Sequence, residues 1–560
     1  MTTPSRLARP GTSTKGVDLV TLSAQLVIRG AVFTCDAAGS WTDAVGVRDG
    51  RIVALGGRDV DAATTADTQV VEAGGGLVLP GFQDSHIHAP FAGLNRLHVD
   101  LEGLPGVDGY LARITDYVDA HPDTEWVIGG GWALEHFPGG VASKELLDGI
   151  CPDRPIFLFA RDVHMAWVNS EALRRAGIDA STPDPPNGRI ERHPHAGEVI
   201  GTLQEAAAYD FNRDVVPLPT QQVWEDAIVD AQQYLWSLGI TGWQDAWVTP
   251  ATARAYRSLA ESGALRSRVV GAQWWEWDRG LEQIDQFVAE RSRNTHPNFQ
   301  AGTVKVMIDG VLENYTGALL EPYCDGCGSH QGSRGMMHVD EPMLRDALVE
   351  LDRLGFQVHM HAIGDRAVRA GLDAVEGARK LNGRSDNRHH IAHVELVTAQ
   401  DVGRFRELGV IANCQAFWAK ADAQVQELTA PLIGAERMQT MYPFGDLARS
   451  GATLAMGSDW AVTTADPLEQ IEVAVTRTDP QRRSDTPFLP RQALSLPTAV
   501  RAFTAGSAYL NHDDAGGSIE IGKRADLAVL DRNIFDPASG MPADATVTHT
   551  VIEGRMVFTA

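Results

Sequence analysis

Short apolar runs, most of them five to eight residues long, punctuate this chain and alternate with longer amphipathic stretches through its middle. The first of these runs, Leu77-Val78-Leu79-Pro80-Gly81-Phe82, leads into Asp84-Ser85-His86-Ile87-His88 and reads as a strand ending at His88. Seven further strand-like runs follow, at 240–246, 267–273, 303–309, 357–364, 388–395, 409–415 and 453–459. Helical periodicity fills the intervals at 221–238, 341–354 and 365–381. Eight strands alternating with helices predict an α/β fold, a (β/α)8 barrel of the TIM type with its site at the C-terminal strand ends. A doubly wound open sheet is the competing architecture, but no Gly-x-Gly-x-x-Gly opens a helix where a dinucleotide fold needs one.

The two ends of the chain have a different texture. Residues 28–36, 44–56 and 69–72 read as strands, with Asp49-Gly50 as a hairpin turn. Residues 525–531 and 547–560 are similar, with Glu553-Gly554 between two short strands. Both termini are expected to build one small β-sandwich domain, residues 22–80 with 515–560, around a hydrolase barrel over 81–514. About 150 residues separate His88 from the next barrel strand, far more than a βα connection uses. That interval, about 90–238, carries strand patterns of its own at 125–130 and 155–160 and reads as an inserted subdomain over the barrel mouth.

Composition narrows the function classes. The chain has 560 residues, 44% apolar and 22% charged, which suits a globular protein. Its net charge of −25 argues against nucleic acid or anionic membrane as a partner. Five scattered cysteines do not make a disulfide framework, the first residues lack the layout of a signal peptide, and no apolar run reaches spanning length. A cytoplasmic location is expected. The expected partner is a small-molecule substrate; a homodimer stays open as the assembly.

The predicted strand ends gather chemistry. His86 and His88, two apart, share one face of an extended strand, as two ligands to one metal must. Lys305 lies on the fourth strand, His361 on the fifth, His393 on the sixth and Asp459 at the end of the eighth. All six are candidate metal ligands, with room for one or two divalent ions, zinc being the expected one. A deprotonated Lys305 can combine with carbon dioxide to give an N6-carboxylated side chain that bridges two metals; the competing role is an internal salt bridge or a substrate anchor. Asp459 suits a ligand that takes a proton from a metal-activated water and passes it to a leaving amine. Asp459, Lys305 and His393 are the residues expected to carry the chemistry.

Other residues are weighed against packing. His359 shares the face of His361, and packing is the preferred reading over a supporting hydrogen bond. His389 and His390 read as structural. Asp162, His164 and Asn169 either face substrate or hold a turn of the insertion together. Among 13 tryptophans, Trp275 and Trp418 are the candidates for substrate contact, with His164. Cys324-Asp325-Gly326-Cys327, followed by His330 and His338, has no second Cys-x-x-Cys and reads as a surface loop.

Taken together these motifs resemble the amidohydrolase superfamily, and within it the YtcJ-like branch that includes N-substituted formamide deformylase. Pro80-Gly81-Phe82-Gln83-Asp84-Ser85-His86-Ile87-His88 looks like the family's opening motif, His361-Ala362-Ile363-Gly364-Asp365 its fifth-strand motif, and Gly516 to Leu527 its return into the terminal β domain. Asp162-Val163-His164-Met165-Ala166-Trp167-Val168-Asn169-Ser170 is similar to a signature of the branch. The resemblance implies that His86, His88 and Asp459 hold one metal, and that Lys305 bridges to a second held by His361 and His393. It implies hydrolysis of a C–N amide bond, formamide-like or N-acyl. The alternatives are decarboxylation or cyclic-amide hydrolysis at the same site, and a non-catalytic binding or assembly relative, which lost ligands would mark. Where relatives often have Gln-Pro, this chain has Gln415-Ala416, so substrate preference is expected to differ.

Overall fold

The computed structural model describes residues 23–324 and 332–560, and Cys327 and His330 fall outside that range. Eight parallel strands form the centre: β1 (Phe82–Ile87), β2 (Ile240–Val248), β3 (Arg268–Trp274), β4 (Phe299–Met307), β5 (Gln357–Ala362), β6 (His390–His393), β7 (Ile411–Cys414) and β8 (Leu454–Met456). They pair in chain order from β1 to β8. The barrel is nearly closed, and beyond its strand ends β1 and β8 are stitched by three contacts. Asp459 N donates to His86 O at 2.7 Å, His88 N donates to Trp460 O at 2.7 Å, and Ser458 N donates to the Asp84 carboxylate at 3.0 Å. Gly457 permits this approach, because a Cβ there would lie 2.5 Å from His86 N.

Strand periodicity sorts the side chains. Val304 and Val306 of β4 and Val358 and Met360 of β5 point outward into the main apolar core, against the surrounding helices. Thr303 and Lys305, and Gln357, His359 and His361, share the opposite face and are buried. The register pairs Thr303 with Gln357 and Lys305 with His359. The interior is thus layered like other barrels, but its layers are polar.

The apolar run that precedes His86 divides between two sheets. Leu77 to Pro80 ends a long strand, Gln69–Pro80, that pairs antiparallel with Leu527–Leu530, and the barrel strand starts only at Phe82. The terminal sheet has seven strands from both chain ends, and its members share one core that includes Ile28, Val47, Val78, Leu527 and Val551. Its hairpin turns are at Asp49-Gly50 (φ 48 and 75) and Glu553-Gly554 (φ 49 and 72), as a two-residue turn with both φ positive requires.

The insertion is a six-stranded sheet from Val99–Asp100 to Val199–Glu205. Alternation along Ile156–Ala160 sends Ile156, Leu158 and Ala160 into one apolar cluster and Phe157 into another, so the sheet is buried on both faces. The helix Gln221–Ser237, capped by Thr220, belongs by its packing to the barrel core, where Trp224, Ile228 and Leu235 lie. Among the described residues no helix is long and apolar enough to cross a membrane.

Candidate metal centre

His86, His88, Lys305, His361, His393 and Asp459 all line one cavity at the C-terminal strand ends. The ligand atoms of His86, His88 and Asp459 lie within 4.8 Å of one another. Asp459 Oδ1 is 3.2 Å from Nε2 of both histidines, and Asp459 Oδ2 is 3.8 Å from His393 Nδ1. The rings of His361 and His393 are 4.5 Å apart, and those of His86 and His393 are 4.9 Å apart. His393 (φ 75) and Asp459 (φ 60) both sit in the left-handed region, strain that the surrounding packing must hold.

Burial sets the charge states. It pushes His86 down to about 3, with the Lys305 charge adding to the effect, and holds His361 and His393 well below the usual imidazole range. These rings are therefore neutral at pH 7, the form that binds metal. Burial would raise Asp459; only imidazoles that carry a proton toward it, from His86, His88 or His393, would outweigh that and hold its carboxyl well below the usual range. Burial also lowers Lys305 to about 7, against the pull of Asp459 and Asp245. Its amine thus has a substantial neutral fraction near neutral pH.

Second-layer groups hold these side chains. The Gln415 side-chain oxygen accepts from His393 N at 2.7 Å and its amide donates to Asn413 Oδ1 at 3.0 Å, so the glutamine that precedes the departure at Ala416 orients a candidate ligand. Asp309, just past β4, lies 3.3 Å from His361 Nδ1 and accepts from the N–H groups of Ala318, Ile363 and Gly364. Burial lifts it to about 7 despite those bonds. Sequence reasoning missed Asp309, although an aspartate directly after a barrel strand is itself a signal. His359 is a correction. It does not merely pack, because its Nε2 is 2.9 Å from His86 Nδ1. His389 is structural, accepting from Val358 N and pairing with Asp352 at 3.0 Å. His390 is buried beside the His359 ring, 4.2 Å away.

The insertion supplies part of the wall. Asp162 and His164 line the cavity, and His164 Nδ1 is 2.9 Å from Glu205. Asn169 does not reach it; it caps the helix Ser170–Ala176 and bonds to Ile156 N, Cys151 O and Arg154 O. Trp418 lines the cavity as well. Trp275, the other tryptophan considered for substrate contact, does not line the cavity: it is buried against Phe287, 6.0 Å away, and its neighbour Trp274 lines the cavity instead. Trp274 stacks on Trp247 at 4.8 Å, and Tyr209 meets Trp247 edge-on at 5.6 Å, giving an aromatic wall opposite the imidazoles. Cys324 is exposed, and His338 is buried against Trp277, 5.1 Å away.

The sequence from residue 69 to residue 558 matches the model of the amidohydrolase family. The chain belongs to that family. Protein LONG AFTER FAR-RED 3 of Arabidopsis thaliana is 30% identical, over 95% of this chain and 91% of its own length. Putative amidohydrolase YtcJ of Bacillus subtilis is 28% identical over 94% and 98%, and N-substituted formamide deformylase of Arthrobacter pascens 28% over 94% and 97%. Among solved structures, an uncharacterized metal-dependent hydrolase from Pyrococcus furiosus superposes with a TM-score of 0.71 at 24% identity, covering 91% of this chain and all of that one. The fold and the YtcJ-like affinity expected above are thereby established, and by family the protein is a hydrolase acting on carbon–nitrogen bonds.

Proposed function

We propose that the protein is a metal-dependent amidohydrolase that cleaves the C–N bond of a small N-acyl substrate of the formamide type. One observation carries this reading: Nε2 of His86, Nε2 of His88 and Asp459 Oδ1 converge on one point, with buried, neutral His361 and His393 beside them. Asp459 Oδ1 has no hydrogen-bond donor from the protein. A nitrogen and oxygen donor set of this kind suits zinc. His86, His88 and Asp459 would hold one ion; His361 and His393, with Lys305 as an N6-carboxylated bridge, would hold a second. A divalent ion bound there supplies Lewis acidity toward water and a carbonyl oxygen.

The chain's own residues do the rest. Asp459 takes a proton from the attacking water and delivers it to the departing amine nitrogen. The wall of Tyr209, Trp247 and Trp274 receives the amine substituent, with Trp418 and His164 completing the enclosure. The relative named as a formamide deformylase supports the same substrate class.

The test is metal analysis of purified protein together with an amide panel that includes N-benzylformamide. One or two divalent ions per chain and release of free amine are expected. Metal-free protein that releases amine at full rate sinks the reading.

A further inference from the structure

A chain of hydrogen bonds crosses the barrel interior below the candidate metal centre, and its direction can be read from its far end. Gln357 Nε2 donates to two backbone carbonyls, Arg388 O and Leu510 O, each at 2.8 Å. Carbonyls only accept, so this amide has one orientation and its oxygen faces the other way. Gln357 Oε1 then accepts from Thr303 Oγ1 at 2.7 Å and from Gln244 Nε2 at 2.9 Å. With its nitrogen committed, Gln244 offers Oε1 to His359 Nδ1 at 2.7 Å, so that nitrogen carries the proton. His359 Nε2 is left with a lone pair, and at 2.9 Å it accepts from His86 Nδ1.

Gln244, Gln357, His359 and His86 are all at least 98% buried, so no bulk water can substitute for a reversed bond. Gln244 on β2 and His359 on β5 belong to strands that are not neighbours, so their bond must pass through the barrel. With the proton on Nδ1, His86 Nε2 presents a lone pair toward Asp459 Oδ1 at 3.2 Å. Two acceptors facing each other at that distance call for a cation between them.

We propose that Gln357, Gln244 and His359 are positioning residues that form a one-way relay, holding His86 in the Nδ1–H tautomer so that its Nε2 is a preformed ligand atom. The proposal rests on the metal-dependent reading above for its purpose, but the tautomer can be measured without metal. Hydrogen-bond partners behind ligating histidines typically change metal affinity by about 10–100-fold.

Zinc affinity would be measured by chelator competition on the full-length wild type, Gln244→Leu, Gln244→Glu and His359→Phe. Gln244→Leu and His359→Phe are expected to weaken zinc binding by about 10–100-fold. Gln244→Glu should stay within a few-fold of wild type, because a neutral buried carboxyl can accept from His359 and donate to Gln357. Packing alone predicts the reverse order, leucine tolerated and a buried acid not. Metal-free protein labelled with ¹⁵N-histidine should show His86 protonated at Nδ1 in the wild type and a tautomer mixture in Gln244→Leu. Zinc binding by Gln244→Leu equal to wild type, or a mixed His86 tautomer in the wild type, overturns the relay. A single Nδ1–H tautomer in a protein that binds no zinc upholds the relay and overturns the metal reading instead.

Discussion

His164 Nδ1 donates to Glu205 Oε2 at 2.9 Å, which ties a cavity-lining turn of the insertion to the end of the insertion's last strand. Glu205 (φ 50) also accepts from Thr316 Oγ1 at 2.7 Å, on the segment that follows β4. The pair therefore joins the insertion to the barrel. Burial would lower His164, but the charge and hydrogen bond of Glu205, with Asp162, raise it to about 9. Burial would raise Glu205, but the His164 charge and hydrogen bond, with His338 and Thr316, bring it to about 2.

These shifts set a pH window for stability. The His164 contribution is complete below its unfolded pKa near 6.5 and is lost as pH rises through about 9. The Glu205 contribution is complete above about 4.5 and is lost as pH falls through about 2. The pair's own contribution, read as the difference in stability between wild type and Glu205→Gln, should then be full between pH 5 and 6.5 and fade toward pH 9.5, on the order of 3 kcal/mol at about 1.4 kcal/mol per pKa unit. Glu205→Gln should lower the melting temperature at pH 6 and shrink the alkaline decline. An unchanged alkaline slope in Glu205→Gln would show that the pair does not govern it.

Adjacent tryptophans at the end of β3 separate binding from stability. Trp274 faces the cavity and Trp275 is buried against Phe287. Trp274→Ala should raise KM several-fold for amides with aromatic amine substituents, with only a small change in melting temperature. Trp275→Ala empties a buried site and should cost about 3–5 kcal/mol, read by chemical denaturation, with KM nearly unchanged. Exchange of these two phenotypes would contradict the placement.

That pair also shows where sequence reasoning stops. Barrel strands announce themselves as apolar runs, and candidate ligands at strand ends follow from counting, so His86, His88, His361, His393, Lys305 and Asp459 were all legible. Choosing between Trp274 and Trp275 needs the phase of β3 at its last residue. Strand ends are set by tertiary hydrogen bonds, such as Trp275 N to Lys305 O at 2.9 Å, that no local pattern encodes. The run at 77–82 misleads for the same reason: Leu77 to Pro80 pairs in the terminal sheet, with Val78 in that sheet's core and Leu77 and Leu79 in the main core, and the barrel strand starts only at Phe82. The sequence points to packing for His359 because its partner, Gln244, lies 115 residues away. Bonds of that span leave no periodicity to detect.

Metal removal should destabilise the protein in proportion to occupancy. A ligand that binds only the folded state adds RT ln(1 + [L]/Kd), about 4 kcal/mol at a thousandfold excess over Kd. Dialysis against a chelator should lower the melting temperature by several degrees, and added zinc should restore it. His86→Ala should abolish that zinc response while leaving a folded protein by circular dichroism. A zinc response of full size in His86→Ala would place the ion elsewhere.

Asp459 separates proton transfer from binding. Asp459→Asn keeps the size of the side chain and one oxygen that can face His86 and His88, but the amide cannot take a proton. General acid–base assistance is worth about 10²–10⁴-fold, so kcat on the best substrate of the amide panel should fall at least a hundredfold with KM nearly constant. The amide is also a poorer ligand than a carboxylate, so zinc content must be measured in the same preparation and restored by excess metal. If the metal-saturated variant regains wild-type kcat, Asp459 serves only as a ligand. If kcat stays low at full occupancy, the lost proton acceptor accounts for the defect.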